Sequence, residues 1–177
     1  DSGDNHVKSQ GGNDRVLLGV GDDKFELGAG INYSNGGSGN DTIILEGNGT
    51  FGSNLVAQNI SSSLQTGTNE RINLTGKTRF EDVMDGGADI DTVELTHASD
   101  AFFLHDNFSS FHSSLDLMDD FDGKSGTARI EHIEHINAGD GDDIIDLTSP
   151  DYSLAGQDIT VDGGAGNDTL WGSDANE

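Results

Sequence analysis

The sequence predicts an all-β fold of short parallel strands wound into coils, a single domain over residues 1–177, and three observations carry that prediction. Glycines recur every nine residues at Gly12, Gly21, Gly30 and Gly39. Aspartates follow in step at Asp14, Asp23 and Asp41, with Asn32 in the third place; apolar residues follow two further on at Val16, Phe25 and Ile43, with Ser34 in the third place. The chain also carries 33 acidic against 8 basic residues, a net charge of −25, so counter-charge must come from ions rather than from Lys or Arg.

Against the template G-G-x-G-x-D-x-U-x, the repeat blocks are 9–44, 86–94, 138–146 and 163–171. Gly36-Gly37-Ser38-Gly39-Asn40-Asp41-Thr42-Ile43-Ile44 is the fullest copy, and Gly163-Gly164-Ala165-Gly166-Asn167-Asp168-Thr169-Leu170 the last. Glycines allow the tight turn, and the segment after each aspartate is a short strand with its apolar residue inward. Successive nonapeptides alternate sides, so turns 18 residues apart stack and share an ion. Several Ca2+ ions are expected, since calcium takes six to eight oxygens from carboxylates and backbone carbonyls, while magnesium keeps waters and stricter geometry. The first candidates are Asp14, Asp23, Asp41, Asp91, Asp143 and Asp168; Asp22, Asp85, Asp89, Asp140 and Asp142 are secondary. Asp23 and Asp41 are expected to face one ion, and Asp14 to face Asn32 at a weaker site. Asp89 and Ile90 replace the usual glycine and small polar residue of the second block, so Asp85, Asp89 and Asp91 there imply a different geometry.

The blocks are interrupted at 47–84 and 95–137, and 25 residues separate Asp143 from Asp168, with a bulge expected at Asp151-Tyr152-Ser153. Residues 55–82 alternate loosely, and Arg71-Ile72-Asn73-Leu74-Thr75 reads as a strand. Phe108, Phe111, Leu115 and Met118 follow a 3-4-3 spacing that predicts one short helix near 107–118. Asp119, Asp120 and Asp122 follow it, an acidic loop and the candidate mouth of a ligand site. Solenoid insertions cluster on one face, often the binding face.

The charge argues against nucleic acid and against anionic membrane surfaces. No apolar run is long enough to span a bilayer, and the absence of cysteine excludes disulfides and thiol catalysis. Gly123-Lys124-Ser125 and Gly76-Lys77-Thr78 echo the end of a phosphate-binding loop, but Met118 and Arg71 stand where its first glycine is needed. His132 and His135, three apart in a segment read as strand, point to opposite faces. No G-x-S-x-G or nucleophile–base pair stands out, so an enzyme is not expected. Both ends read as cut from a longer Gly/Asp-rich chain.

These nonapeptides resemble the RTX (repeats-in-toxin) repeats of proteins exported by bacterial type I secretion. Arg79-Phe80-Glu81-Asp82-Val83, Ile133-Glu134-His135-Ile136-Asn137 and Ile144-Ile145-Asp146-Leu147-Thr148-Ser149 look like segments flanking the repeats of giant RTX adhesins of Gram-negative bacteria. The layout is similar to the calcium-dependent peptide-binding module of those adhesins. The resemblance implies a β-roll, elaborated by the insertions toward a β-sandwich-like domain, that folds on calcium outside the cell. It also implies a cell-surface location, a role in adhesion and biofilm formation, and a peptide or protein ligand on another cell, with a free C-terminal carboxylate as one candidate for capture. A calcium-rigidified spacer and a calcium-dependent carbohydrate-binding module are the alternatives.

Overall fold

The computed structural model describes residues 2–52, 56–58, 71–104, 129–148 and 153–176. The expected helix near 107–118, the acidic loop with Asp119, Asp120 and Asp122, and the residues Asp151 and Tyr152 lie outside them. Among the described residues all regular structure is strand.

The first two coils follow the nonapeptide rule. After β1 (His6–Lys8) the chain alternates between two sheets: β2 (Arg15–Val20), β3 (Lys24–Leu27), β4 (Tyr33–Ser38) and β5 (Thr42–Leu45). Between β5 and the return to the coil, the described residues include an antiparallel pair, β6 (Val56–Gln58) with β7 (Arg71–Asn73), in accord with the strand expected at Arg71. The chain returns at β8 (Thr78–Arg79) and makes a three-sided coil, β9 (Val83–Ala88), β10 (Thr92–Glu94) and β11 (Asp100–Phe103). A second such coil is β12 (Ile130–Glu131), β13 (His135–Asn137) and β14 (Ile144–Asp146), and β15 (Thr160–Asp162) with β16 (Thr169–Trp171) ends the stack.

Three parallel sheets result. One runs through every coil in the order β1-β3-β5-β10-β13-β15; the second is β12-β9-β4-β2 and the third β16-β14-β11-β8. The fold is the expected parallel β-roll, with a third side that interruptions and repeat blocks build together: β8 comes from 47–84 and β11 from 95–137, while β14 and β16 come from the blocks 138–146 and 163–171. Lys24 pairs with Thr42, Thr42 with Thr92, Thr92 with His135 and His135 with Thr160, so one unbroken sheet absorbs steps of 18, 50, 43 and 25 residues.

Phe25, Ile43, Val93 and Ile136 stand in register inside the long sheet and are fully buried. Phe102 and Ile145 face them from the third sheet, and Met84 and Ile130 from the second, in a single apolar cluster. A smaller cluster covers the outer face of the third sheet: Phe51 and Leu74, from the long insertion, pack on Ala101, Phe103 and Ile144. Phe51 meets Phe103 edge to face at 6.2 Å, a favoured aromatic geometry.

Candidate metal centre

At most turns into a new strand, an acidic or amide residue stands two positions before the inward residue, which is apolar except at Ser34. Stacking lines these residues up in three ladders. In each, the backbone N–H of one rung donates to the side-chain oxygen of the next rung toward the C-terminus.

In the first ladder Asn5 N donates to Asp23 Oδ1 (2.7 Å), Asp23 N to Asp41 Oδ1 (2.8 Å), Asp41 N to Asp91 Oδ1 (2.8 Å) and Asp91 N to Glu134 Oε2 (2.8 Å). In the second, Asp14 N donates to Asn32 Oδ1 (3.0 Å) and Asn32 N to Asp82 Oδ1 (2.9 Å). In the third, Asp100 N donates to Asp143 Oδ1 (2.7 Å) and Asp143 N to Asp168 Oδ1 (3.0 Å).

These bonds use one carboxylate oxygen. The other is left over: Oδ2 of Asp23, Asp41, Asp91 and Asp143 is buried with no hydrogen-bond partner. A buried, unsatisfied carboxylate oxygen is costly unless something positive reaches it. The local backbone marks where that something fits. A Cβ at Gly36 would collide with Asp41 Oδ2 and with the Gly86 carbonyl oxygen, and a Cβ at Gly86 with Asp91 Oδ2 and the His132 carbonyl oxygen. In each bare-backbone gap a side-chain oxygen and a carbonyl oxygen of the neighbouring coil converge, two acceptors with no hydrogen between them. That donor set is the all-oxygen kind calcium takes.

The electrostatics agree. Burial, with Asp23 and Asp22 close by, pushes the Asp41 carboxyl up to about 6. Burial, with Asp41, Glu134 and Asp85 adding to it, pushes Asp91 up to about 7. Asp143 rises to about 6 through burial and the charges of Asp100 and Asp168. Without a cation, each ladder resists holding its full charge.

The structure sorts the sequence-derived candidates. Asp23, Asp41, Asp91 and Asp143 are buried in the ladders, while Asp14 and Asp168 are half-buried at ladder ends. Asp22 and Asp142 are exposed and serve as outer clamps, accepting from Asn40 N (2.8 Å) and Asn167 N (2.9 Å) on adjacent coils. Asp140 is exposed near His97, and Asp89 is exposed in a left-handed conformation (φ 87°). Asp85 lies on β9, bonded to Asn35 Nδ2 (2.7 Å) and His132 Nδ1 (2.8 Å). His132 is not in a strand: it sits in a shortened turn with φ 51°, and its ring, Asp85 and Glu131 form a small surface cluster.

Four ladder residues lie outside the sequence reading: Asn5, Asp82, Asp100 and Glu134. For the last three the signal is the spacing alone, an acidic residue two before an inward apolar one, as in Asp82-Val83-Met84, Asp100-Ala101-Phe102 and Glu134-His135-Ile136.

The family model for the RTX calcium-binding nonapeptide repeat matches four stretches of the chain, residues 1–25, 26–48, 133–149 and 160–177. No curated protein and no solved structure matches. The matched stretches hold the rungs at Asp14, Asp23, Asp41, Asp143 and Asp168, whereas Asp82, Asp91 and Asp100 fall between them. The chain thus carries RTX repeats, which bind Ca2+ at multiple sites.

Proposed function

We propose that this RTX-repeat chain is a secreted module that calcium completes, and that the completed module is the ligand-binding part of a cell-surface adhesin with a peptide ligand. The single observation behind the first half is the set of buried, unpartnered Oδ2 atoms on Asp23, Asp41, Asp91 and Asp143. These four carboxylates, with the turn carbonyls beside them, would hold the ions; Asp168 would add a ligand at a ladder end, and Asp22, Asp140 and Asp142 would shape the outer turns. Bound calcium supplies the positive charge that lets the stacked carboxylates stay ionised. An ion that binds only the folded state stabilises it by mass action.

Support for a ligand comes from an open groove of about 740 Å³ beside the third ladder. Ile44, Leu45 and Leu95 give it an apolar floor, and Glu46 and Glu94 line it together with Thr96 and His97. Thr96 bonds Asp100 through its N–H (2.8 Å) and hydroxyl (2.7 Å), so one end of the groove abuts the metal ladder. A peptide is dipolar, and this groove offers carboxylates along its length with a cation ladder at one end. The arrangement suits a C-terminal carboxylate directed at the ladder. The spacer reading draws on the unbroken six-stranded sheet, which gives calcium a rod to stiffen.

Two measurements test these halves. Circular dichroism in millimolar calcium and in excess EGTA should show strand signal and Tm fall on chelation and return on recalcification; an unchanged spectrum and Tm would reject calcium-completed folding. Immobilised peptides with free or amidated C-termini, beside a glycan array, test the ligand. Calcium-dependent capture lost on amidation supports carboxylate reading, sugar capture moves the assignment to a lectin-like module, and silence on both leaves the spacer.

A further inference from the structure

The first and second ladders share one bond pattern and differ in one atom. Asp41 Oδ1 accepts from the preceding rung (2.8 Å), and its second oxygen, Oδ2, is buried without a partner. Asn32 Oδ1 accepts from the preceding rung in the same way (3.0 Å), and its second atom is an amide nitrogen. That nitrogen is not stranded. Asn32 Nδ2 donates to the Gly28 carbonyl (2.9 Å) and to Asp82 Oδ1 (2.8 Å), and lies 3.3 Å from the Gly30 carbonyl. It therefore reaches the two kinds of oxygen a cation would gather there, turn carbonyls and the carboxylate of the next coil.

Three further observations point the same way. Gly30 O also accepts from Asn48 Nδ2, so this turn carbonyl is doubly served by amides. Asp82, next in the ladder, feels the positive charge of Arg129, whose buried guanidinium donates to Phe80 O at 2.7 Å. Asn5, opening the first ladder, repeats the arrangement: its Nδ2 donates to the carbonyl two residues back, Gly3 O, and to the next rung, Asp23 Oδ1 (3.1 Å). The buried side-chain atoms without partners include Oδ2 of four aspartates and no atom of Asp14, Asn32 or Asp82.

We propose that Asn32 determines where calcium does not bind: its amide nitrogen takes the ion's place at the middle rung of the second ladder and makes that flank a metal-independent lock. The first two coils then have one flank closed by hydrogen bonds and one closed by calcium. The amide offers two N–H groups to oxygens that would otherwise face only another oxygen, which is what a buried acceptor needs in the absence of an ion. The calcium flank opens when calcium is withdrawn, while the Asn32 flank keeps the coils together.

This rests on reading the aspartate rungs as calcium sites, and a reciprocal pair of variants separates the two ideas. In the full chain, Asn32→Asp and Asp41→Asn are each measured for calcium stoichiometry by titration calorimetry and for Tm in EGTA. Asn32→Asp should take up one ion more than the parent and melt about 2–4 °C lower in EGTA, the shift expected for losing one hydrogen-bonded plug. Asp41→Asn should take up one ion fewer and melt higher in EGTA by a similar margin, as its new amide supplies the N–H donors that the unpartnered Oδ2 lacks. Unchanged stoichiometry in Asn32→Asp, or an unchanged or lowered EGTA melting point in Asp41→Asn, would overturn the proposal. Should Asn32→Asp fold only when calcium is added, that supports it, and Asp41→Asn remains decisive. A parent that binds no calcium would reject the calcium reading alone; the EGTA shifts of the two variants would still decide whether the amide is the plug.

Discussion

Asp41 shows how a rung divides its work. One oxygen joins the coils through Asp23 N, and the other sits where a side chain at residue 36 would begin. A side chain there tests the division: Gly36→Ala should cost about 1–3 kcal/mol, the usual range for forcing a methyl into a filled site. It should also raise the calcium concentration needed for folding, read from denaturant midpoints across a calcium titration. The sequence-derived pairing carries its own expectation: Asp23→Ala should weaken calcium-dependent stability more than Asp14→Ala, since Asp14 faces an amide; equal calcium midpoints would contradict it. Most of the rungs were legible because glycine turns announce them. Asp82, Asp100 and Glu134 were not, because their turns lack the glycines, and a single acidic residue before an apolar one is common in so acidic a chain. The different chemistry of Asn32 was half legible: the neutral side chain is plain in the sequence, but its two donor partners come from residues 28 and 82, which only stacking brings together.

Among the elements, the coils depend on inward columns and the insertion depends on a small patch. Phe51 and Leu74 pack the segments that carry them against the third sheet. Phe51→Ala should cost about 3 kcal/mol, the low end for a buried aromatic because the cluster is small. Hydrogen exchange should then rise at Phe51 N and Gly76 N, which bond Lys77 O and Phe51 O, while ladder amides such as Asp41 N stay protected. Half of the third sheet escaped the sequence reading for a physical reason. β14 and β16 follow glycine-marked aspartates, but β8 and β11, of 2 and 4 residues, follow no such aspartate and are too short for alternation to register. The strand at Arg71 was legible because its alternation runs longer than the strand itself.

At the scale of the whole molecule, acid and calcium should act as rivals with related effects. The folded, metal-free values near 6 for Asp41 and Asp143 and near 7 for Asp91 stand above the ordinary value of 3.8. A carboxyl whose folded pKa is raised favours folding while protonated; that contribution is complete below about pH 4 and is lost as pH climbs through 6 to 7. In EGTA, Tm should therefore be higher at pH 4.5 than at pH 7.5. In saturating calcium the order should reverse, because protons displace the ions that need ionised carboxylates. A metal-free Tm that rises with pH would contradict the burial of these groups. The charge of −25 belongs to the same account, since self-repulsion works against the compact state until ions or protons reduce it.

The ladder bonds all point one way, from an N–H on the earlier coil to a side-chain oxygen on the later one. This gives the ladder a polarity. A finished coil presents, toward the chain that precedes it, a carboxylate oxygen, a strong charge-assisted acceptor. Toward the chain that follows, it presents an amide in the ladder and, in the outer turn, a carboxylate such as Asp22 or Asp142 that accepts from the next coil. Inner ladder and outer clamps thus bind each pair of stacked turns in opposite senses, so that each turn both donates to and accepts from its neighbour. Within the ladder, losing the last coil uncaps Asp143 N, whereas losing the first removes only a donor and leaves Asp23 able to turn to solvent or an ion. Each junction is thus a two-way fastening, and cutting either half of it leaves the other still tied.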